Sequence, residues 1–375
     1  MKKLRLFSVL ILFTSLATGW ADSQEDKMIK DLSHRDPERR RAAAEYLADA
    51  KSEAAVPALT QALKDKDEDV RVTSAYALWN IGDASAPARA ELRAALADES
   101  GLVRIYSAGA LEMLGENPKN LIPAIKEAMA DSRMWVRAYA IENLLGWKVS
   151  IPSLLPEIRS VFSSTPAGTP KEKTSLGFLA GFLSTENQDP NSAAKELLAK
   201  ALVKYPQPPE MLPIWKSALD DPSESVRGYA MDAVIDFKPV PPDVLKKLSD
   251  SARGFSDIDR MHALEALGSL EPVPPDIVAV LVAGMKDKQE LVRSAAAHSL
   301  ANVKPATKDV VDALILGLRD KRSDVREDSA EALEKIGPAG KDAIPVLQEL
   351  AAKDKEWTVQ SAAREALRAM GVKQD

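Results

Sequence analysis

The chain has 375 residues, enough for two or three globular domains or for one elongated array. Aromatic residues make up only 5% of it and cysteine is absent, which excludes a disulfide framework, a thiolate nucleophile and a thiolate metal site. A formal charge of −6 without a cluster of Lys and Arg offers no cationic surface for phosphates, so nucleic acid is not expected as a partner.

The first stretch reads as an export signal over residues 1–21. "MKKLR" is basic, "LFSVLILFTSLATGW" is apolar, and small residues stand at Gly19 and Ala21, just before Asp22. The apolar core is shorter than the roughly 20 residues of a spanning helix, and no later segment is apolar enough to cross a bilayer. After cleavage no stable membrane insertion is expected. No cysteine follows the signal to carry a lipid, so the expected location is the periplasm or the outside medium.

A repeat begins soon afterwards. The residues preceding a recurring arginine are Arg39, Val70, Val103, Val136, Val226, Asp259, Val292 and Val325, with Val359 at the same place before Gln360, at steps of 31, 33, 33, 90, 33, 33, 33 and 34. Self-similarity near this period marks a stacked helical solenoid. Each unit reads as two helices. The first carries a proline near its start, as in Ala54–Asp65 and Lys341–Asp354. The second opens on the Val-Arg pair, with apolar residues on one face: Val70, Ala75, Leu78 and Ile81, or Val325, Ala330, Leu333 and Ile336. Alanines in its middle admit close neighbours, and Gly82, Gly115, Gly337 and Gly371 stop it.

Regular repeats are expected over 22–150 and again over 206–375. The segment 151–205 is irregular, with helical stretches at Ile151–Phe162, Thr174–Leu183 and Asn191–Val203; a further one follows at Pro209–Leu219. If Pro190 takes the valine place, Asn191–Val203 is a second helix. One helix near Ile151–Ser184 is then left unpaired beside the loop Ser163–Pro170, and a break in the stack is expected there.

The Val-Arg pair, the alanine pair and the closing Leu-x-x-Ile/Leu-Gly resemble HEAT repeats of the bacterial type also found in phycobilin lyases, from Asp31 to about Gly371. The resemblance implies an all-α, HEAT-like α-solenoid of about ten helical hairpins. It also rests on an aspartate six residues before the arginine: Asp65/Arg71, Asp98/Arg104, Asp131/Arg137, Asp221/Arg227, Asp287/Arg293 and Asp320/Arg326. In that family these residues link neighbouring units as a ladder. The physics agrees, because a carboxylate suits a helix N-terminus and an arginine fork can hold carboxylates of its own and the next repeat. Arg104 is therefore expected to serve Asp98. In the last unit Gln360 replaces the arginine, as suits a unit with no neighbour to bind.

No assembled chemistry is visible. His34, His262 and His298 lie far apart, and no zincin, phosphate-loop, nucleophile-elbow or dinucleotide motif occurs. The paired His-Glu motifs of HEAT-fold deoxyhypusine hydroxylases are missing, since Arg35, Ala263 and Ser299 follow the histidines. No cofactor, metal or catalytic residue is expected.

If second helices line the inner surface, the second, sixth, ninth and tenth residues after the aligned one point away from the core. The sixth places hold Glu45, Tyr76, Gly109, Glu142, Glu196, Asp232, Glu265, His298, Glu331 and Glu365, a largely acidic ridge. The N-terminal half adds Val72, Trp79, Ile105, Tyr106, Trp135, Tyr139 and Trp147, whereas the last full unit presents Glu327, Asp328, Glu331 and Glu334. The expectation is a non-catalytic interaction or scaffolding module of the cell envelope, taking a protein or extended peptide. Tyr76, Trp79, Tyr106 and Tyr139 are its anchors, and Glu331 and Glu334 set association rate. The alternative is an accessory subunit or maturation factor of an envelope enzyme. Export has a direct check: intact mass of protein from the envelope fraction should correspond to a chain starting at Asp22, and a retained Met1 would refute the signal.

Overall fold

The structure, a computed structural model, describes residues 24–163 and 190–372. The signal residues, the expected helix Thr174–Leu183 and all but the first residue of the loop Ser163–Pro170 lie outside these. Every regular element among the described residues is helical. The chain divides into two compact units, Met1–Leu202 and Val203–Asp375.

Second helices are entered through a residue with extended backbone, as at Ser100, Arg133, Gln289 and Arg322. Asp67 takes an extended backbone and its side chain accepts from the Val70 amide, opening the helix Glu68–Ile81. Gly82 ends that helix at φ 73°, a left-handed conformation that a side chain would strain, and Gly337 does the same for Ser323–Ile336 at φ 65°. A proline sits in the first turn of many first helices, including Val56–Ala62, Pro118–Ala128 and Ile344–Lys353, where its missing donor costs nothing.

In the first unit the second helices Pro37–Asp49, Glu68–Ile81, Gly101–Met113, Met134–Gly146 and Pro190–Leu202 stack in order. In the second unit the series is Glu224–Val234, Asp257–Gly268, Glu290–Leu300, Ser323–Ile336 and Trp357–Ala369. First helices pack along one side of each series. Leu47, Leu78, Leu111, Leu144, Leu198, Leu267, Leu300, Leu333 and Leu367 occupy one register and are all buried. Each contributes about 2 kcal/mol of apolar burial. Ala75, Ala108, Ala296, Ala330 and Ala363 are buried beside them, so small side chains set the close spacing.

In the middle, the break expected in the stack is not found between the second helices, and the expected helix Thr174–Leu183 lies outside the described residues. Met134–Gly146 packs directly on Pro190–Leu202, and Leu155–Ser163 touches both. Leu155–Ser163 is therefore the first helix, and Pro190–Leu202 the second, of one hairpin with residues 164–189 inserted between them. The long step in the repeat period is an insertion inside a hairpin. Among the described residues no helix there is left unpaired.

The ladder also differs in detail. The Nε–Nη2 edge of most of these arginines holds a carboxylate from the following repeat: Arg71 to Asp98 at 2.9 and 3.1 Å, Arg260 to Asp287 at 2.7 and 3.0 Å, Arg293 to Asp320 at 2.6 and 2.9 Å, and Arg326 to Asp354 at 2.7 and 2.8 Å. Arg40 reaches Asp65, and Arg227 reaches Asp259, in the same way. The aspartate six residues upstream offers its backbone carbonyl instead, as from Arg71 to Asp65 at 3.0 Å, Arg137 to Asp131 at 2.9 Å and Arg227 to Asp221 at 2.7 Å. Gln360 keeps that carbonyl bond, to Asp354 at 2.7 Å.

Like Arg137, whose buried Nε has no partner among the described residues, Arg104 departs from this pattern. It bonds the carbonyls of Asp98 and Glu99, but its buried Nε has no partner, and Asp98 is served by Arg71. The acid that would face it, Asp131, is held by Arg133 at 3.0 and 2.9 Å and by the Gly101 amide at 3.3 Å. Arg133 also reaches back to Glu68 at 2.9 Å.

Two outcomes follow from this geometry. Arg293→Ala strands the half-buried carboxylate of Asp320 and should cost about 2 kcal/mol, whereas Arg104→Ala loses only carbonyl bonds and should cost about 1 kcal/mol. Hydrogen exchange around each site should rank them in that order, and equal loosening would deny the distinction. The second concerns acid. Burial pushes the carboxyls of Asp287 and Asp320 up, but hydrogen bonds from Arg260 and Arg293 outweigh it and leave both below the usual range; the Arg326 hydrogen bond lowers Asp354. A depressed folded-state value adds stability above the unfolded value of about 3.9 and loses it as pH falls through the folded one. Melting of the protein should therefore be steady down to about pH 5 and drop steeply below about pH 4. Asp320→Asn, already weakened, should show a shallower acid slope.

Candidate functional site

Second helices turn one face away from the first helices, and in the N-terminal unit that face is aromatic. Tyr76 and Trp79, a turn apart on Glu68–Ile81, have ring centres 6.0 Å apart. Tyr106, on Gly101–Met113, lies 5.4 Å from Tyr76 and 5.9 Å from Trp79, and Tyr139, on Met134–Gly146, lies 6.0 Å from Tyr106. Tilted and edge-on rings at these distances attract one another beyond simple burial.

The four are not equivalent. Tyr76, Trp79 and Tyr139 are half-buried, with surface left for a partner, but Tyr106 is only 1% exposed. Tyr106 is therefore the floor of the cluster and not an anchor, because rings from both neighbouring helices close over it. Burial, and then the neighbouring Tyr139, push its phenol far above the ordinary range; burial and then Glu142 raise Tyr139 to about 12. Both stay neutral at any physiological pH.

Other expected surface residues are interior. Val72 and Ile105, at the second place, are sealed between adjacent second helices, whose spacing is too close to leave that place open. Trp135 is buried too, with the Arg133 guanidinium 5.7 Å from its ring centre, and Trp147 is half-buried. Gly109 has a role that the sequence did not suggest. A Cβ there would stand 3.3 Å from the Trp79 ring nitrogen, so the glycine lets the indole lie against the next helix. Met113, 51% exposed, and Glu112, also exposed, extend this face.

The acidic residues lie in the other unit. Glu334 is exposed and Glu331 half-buried on Ser323–Ile336, while Asp328 is bonded to Ser294 of the preceding repeat, and burial raises its carboxyl. Asp232, Glu265 and His298 are exposed at the sixth place of their helices, so the ridge carries an imidazole among its acids. The histidines remain scattered: His34 accepts from the Asp36 amide at 3.1 Å, and His262 lies over Gly228 with Glu265 at 3.6 Å. Among the described residues no group of three or more His, Asp or Glu could hold a metal, and no helix is long and apolar enough to cross a membrane.

Reading for a six-residue spacing missed Arg40, Arg260, Asp259 and Asp354 as rung members, and it missed Arg133. A signal was available. Glu68, Glu224 and Glu290 all stand two places before their valine, and each reaches the residue that opens the next second helix: Ser100 at 2.7 Å, Ser256 at 2.7 Å and Arg322 at 2.7 Å.

Stacked helical hairpins joined by charge-paired loops, with an open second-helix face, define an all-α solenoid of the kind that mediates protein interactions. The HEAT repeats profile matches residues 25–91, 245–315 and 278–368, and the chain belongs to that family. No curated protein matches it at a significant level. Among solved structures, importin beta is similar at TM-score 0.58 and 15% identity, over 95% of this chain and 53% of that one. The karyopherin Kap121p bound to the SUMO protease Ulp1p gives 0.52 at 14% identity, over 93% and 41%. Kap121p bound to the extreme C-terminus of the protein phosphatase Cdc14p gives 0.51 at 15%, over 93% and 42%. The chain thus spans about half, or less, of each. At these identities the likeness concerns the fold.

Proposed function

We propose that the protein is a non-catalytic interaction module of the cell envelope, exported by its N-terminal segment, that docks a protein or extended peptide on the N-terminal unit. The observation that carries this reading is the contiguous strip of half-buried rings Tyr76, Trp79 and Tyr139 over the Tyr106 floor. Large rigid rings with one face open lose little entropy on binding and dominate interface energetics. The fold supports it as well: two of the similar structures are complexes with other proteins, one of them with a protein's extreme C-terminus. Glu331 and Glu334, in the other unit, serve association rate and salt dependence more than grip.

Capture from the envelope fraction tests this. The partner retained by wild type should be lost with Tyr76→Ala/Trp79→Ala, a weakening of about thirtyfold for roughly 2 kcal/mol of lost anchor. Glu331→Ala/Glu334→Ala should retain it at moderate salt, with helical content of both variants first checked by circular dichroism. Retention by the aromatic variant together with loss by the acidic one would overturn the assignment.

A further inference from the structure

The aromatic strip carries a charge pattern that narrows what lies on it. The sixth, ninth and tenth places of the first four second helices hold Glu45, Asp49, Glu112 and Glu142 and no lysine or arginine. Glu45 is partly answered by Arg41 at 3.7 Å, and that guanidinium is also claimed by Glu38 at 2.7 Å and Asp69 at 3.6 Å. Glu112 stands one repeat beyond Trp79, at the same place in its helix, and is exposed. Glu142 lies near enough to Tyr139 to help raise its phenol. Half-buried rings are thus accompanied, at the same and neighbouring places, by carboxylates and by no lysine or arginine.

Two attractions converge there on one kind of group. A ring face draws a cation through its quadrupole, and a carboxylate beside it draws the same cation by charge. A guanidinium satisfies both, since it stacks flat on an indole while its edge donates to a carboxylate. Neighbouring second helices are about 10 Å apart, which an extended chain covers in about three residues, so side chains at every third position meet successive repeats.

We propose that the segment docked on this strip is extended and arginine-bearing, with one guanidinium over Tyr76 and Trp79 and its neighbours directed to Glu112 and Glu142. The inference rests on the strip being the docking surface and adds the chemistry of its occupant. Anchoring by a neutral apolar segment is the competing account.

The mature chain with 15N-labelled tryptophan allows a test, the Trp79 indole signal being assigned by its absence in Trp79→Phe. The probe is the peptide acetyl-(Arg-Gly-Ser)3-amide, compared with the same peptide carrying citrulline, a neutral shape-mimic, at each arginine. The arginine peptide should move the Trp79 signal and bind at least tenfold more tightly than the citrulline one. Glu112→Gln/Glu142→Gln should weaken the arginine peptide at least fivefold and leave the citrulline peptide unchanged. Tyr76→Phe should hold affinity, and Tyr76→Ala should lose at least fivefold. Equal binding of the two peptides, a Trp79 signal that neither moves, or an arginine affinity indifferent to Tyr76→Ala would each overturn the proposal. If equal binding is found while capture of the envelope partner still fails with Tyr76→Ala/Trp79→Ala, the docking surface stands and the cationic occupant does not.

Discussion

The structure depends on one recurring contact, an arginine fork that spans two repeats. Its Nη1 fastens the loop before its own helix through a carbonyl, and its Nε–Nη2 edge takes the carboxylate of the next loop, as at Arg293. That carboxylate is already engaged: Asp320 also accepts from the Arg322 amide two residues on, at 2.9 Å. The same oxygens therefore shape the entry to one helix and dock it to its neighbour. Burying such a pair without these bonds would cost more than the attraction returns; with all of them made, the charge is balanced and the geometry admits one register.

A rigid series of second helices is what allows an aromatic strip to exist. Tyr76, Tyr106 and Tyr139 belong to three separate repeats, and their rings meet only because the helices beneath them are held at constant spacing. Gly109 provides the local relief that lets Trp79 lie across that spacing. Packing and the aromatic strip thus occupy different faces of the same helices: alanines and leucines set the distance, and the rings meet across it.

Periodicity made the repeat, its helices and its stopping glycines legible. What lay between repeats was not, and the reason is physical. A six-residue spacing lies inside one loop, where the arginine meets a carbonyl that any residue supplies. Arg260 and Arg40 have Gly254 and His34 at that place and still make the bond, at 3.1 and 2.8 Å, so a rule requiring aspartate passes over both. Burial at the strip was similarly hidden. Tyr106 and Tyr139 both follow their valine by three residues, yet Tyr106 is flanked by rings on both sides and is covered, while Tyr139 is not. The hairpin with its insertion was obscured because the period counts residues, whereas packing counts helices.

The bridge from Arg133 gives three repeats a shared inheritance. Wherever the arginine–aspartate rung is intact, one repeat can be duplicated or deleted and the flanking partners meet again with the same chemistry. Around Gly101–Met113 that exchange fails. Excising that repeat would bring Arg71 to Asp131, a carboxylate already committed to Arg133, and would leave Arg71 without the acid it holds now. The repeats that build the aromatic strip can therefore change side chain by side chain, but they cannot be shuffled as whole modules.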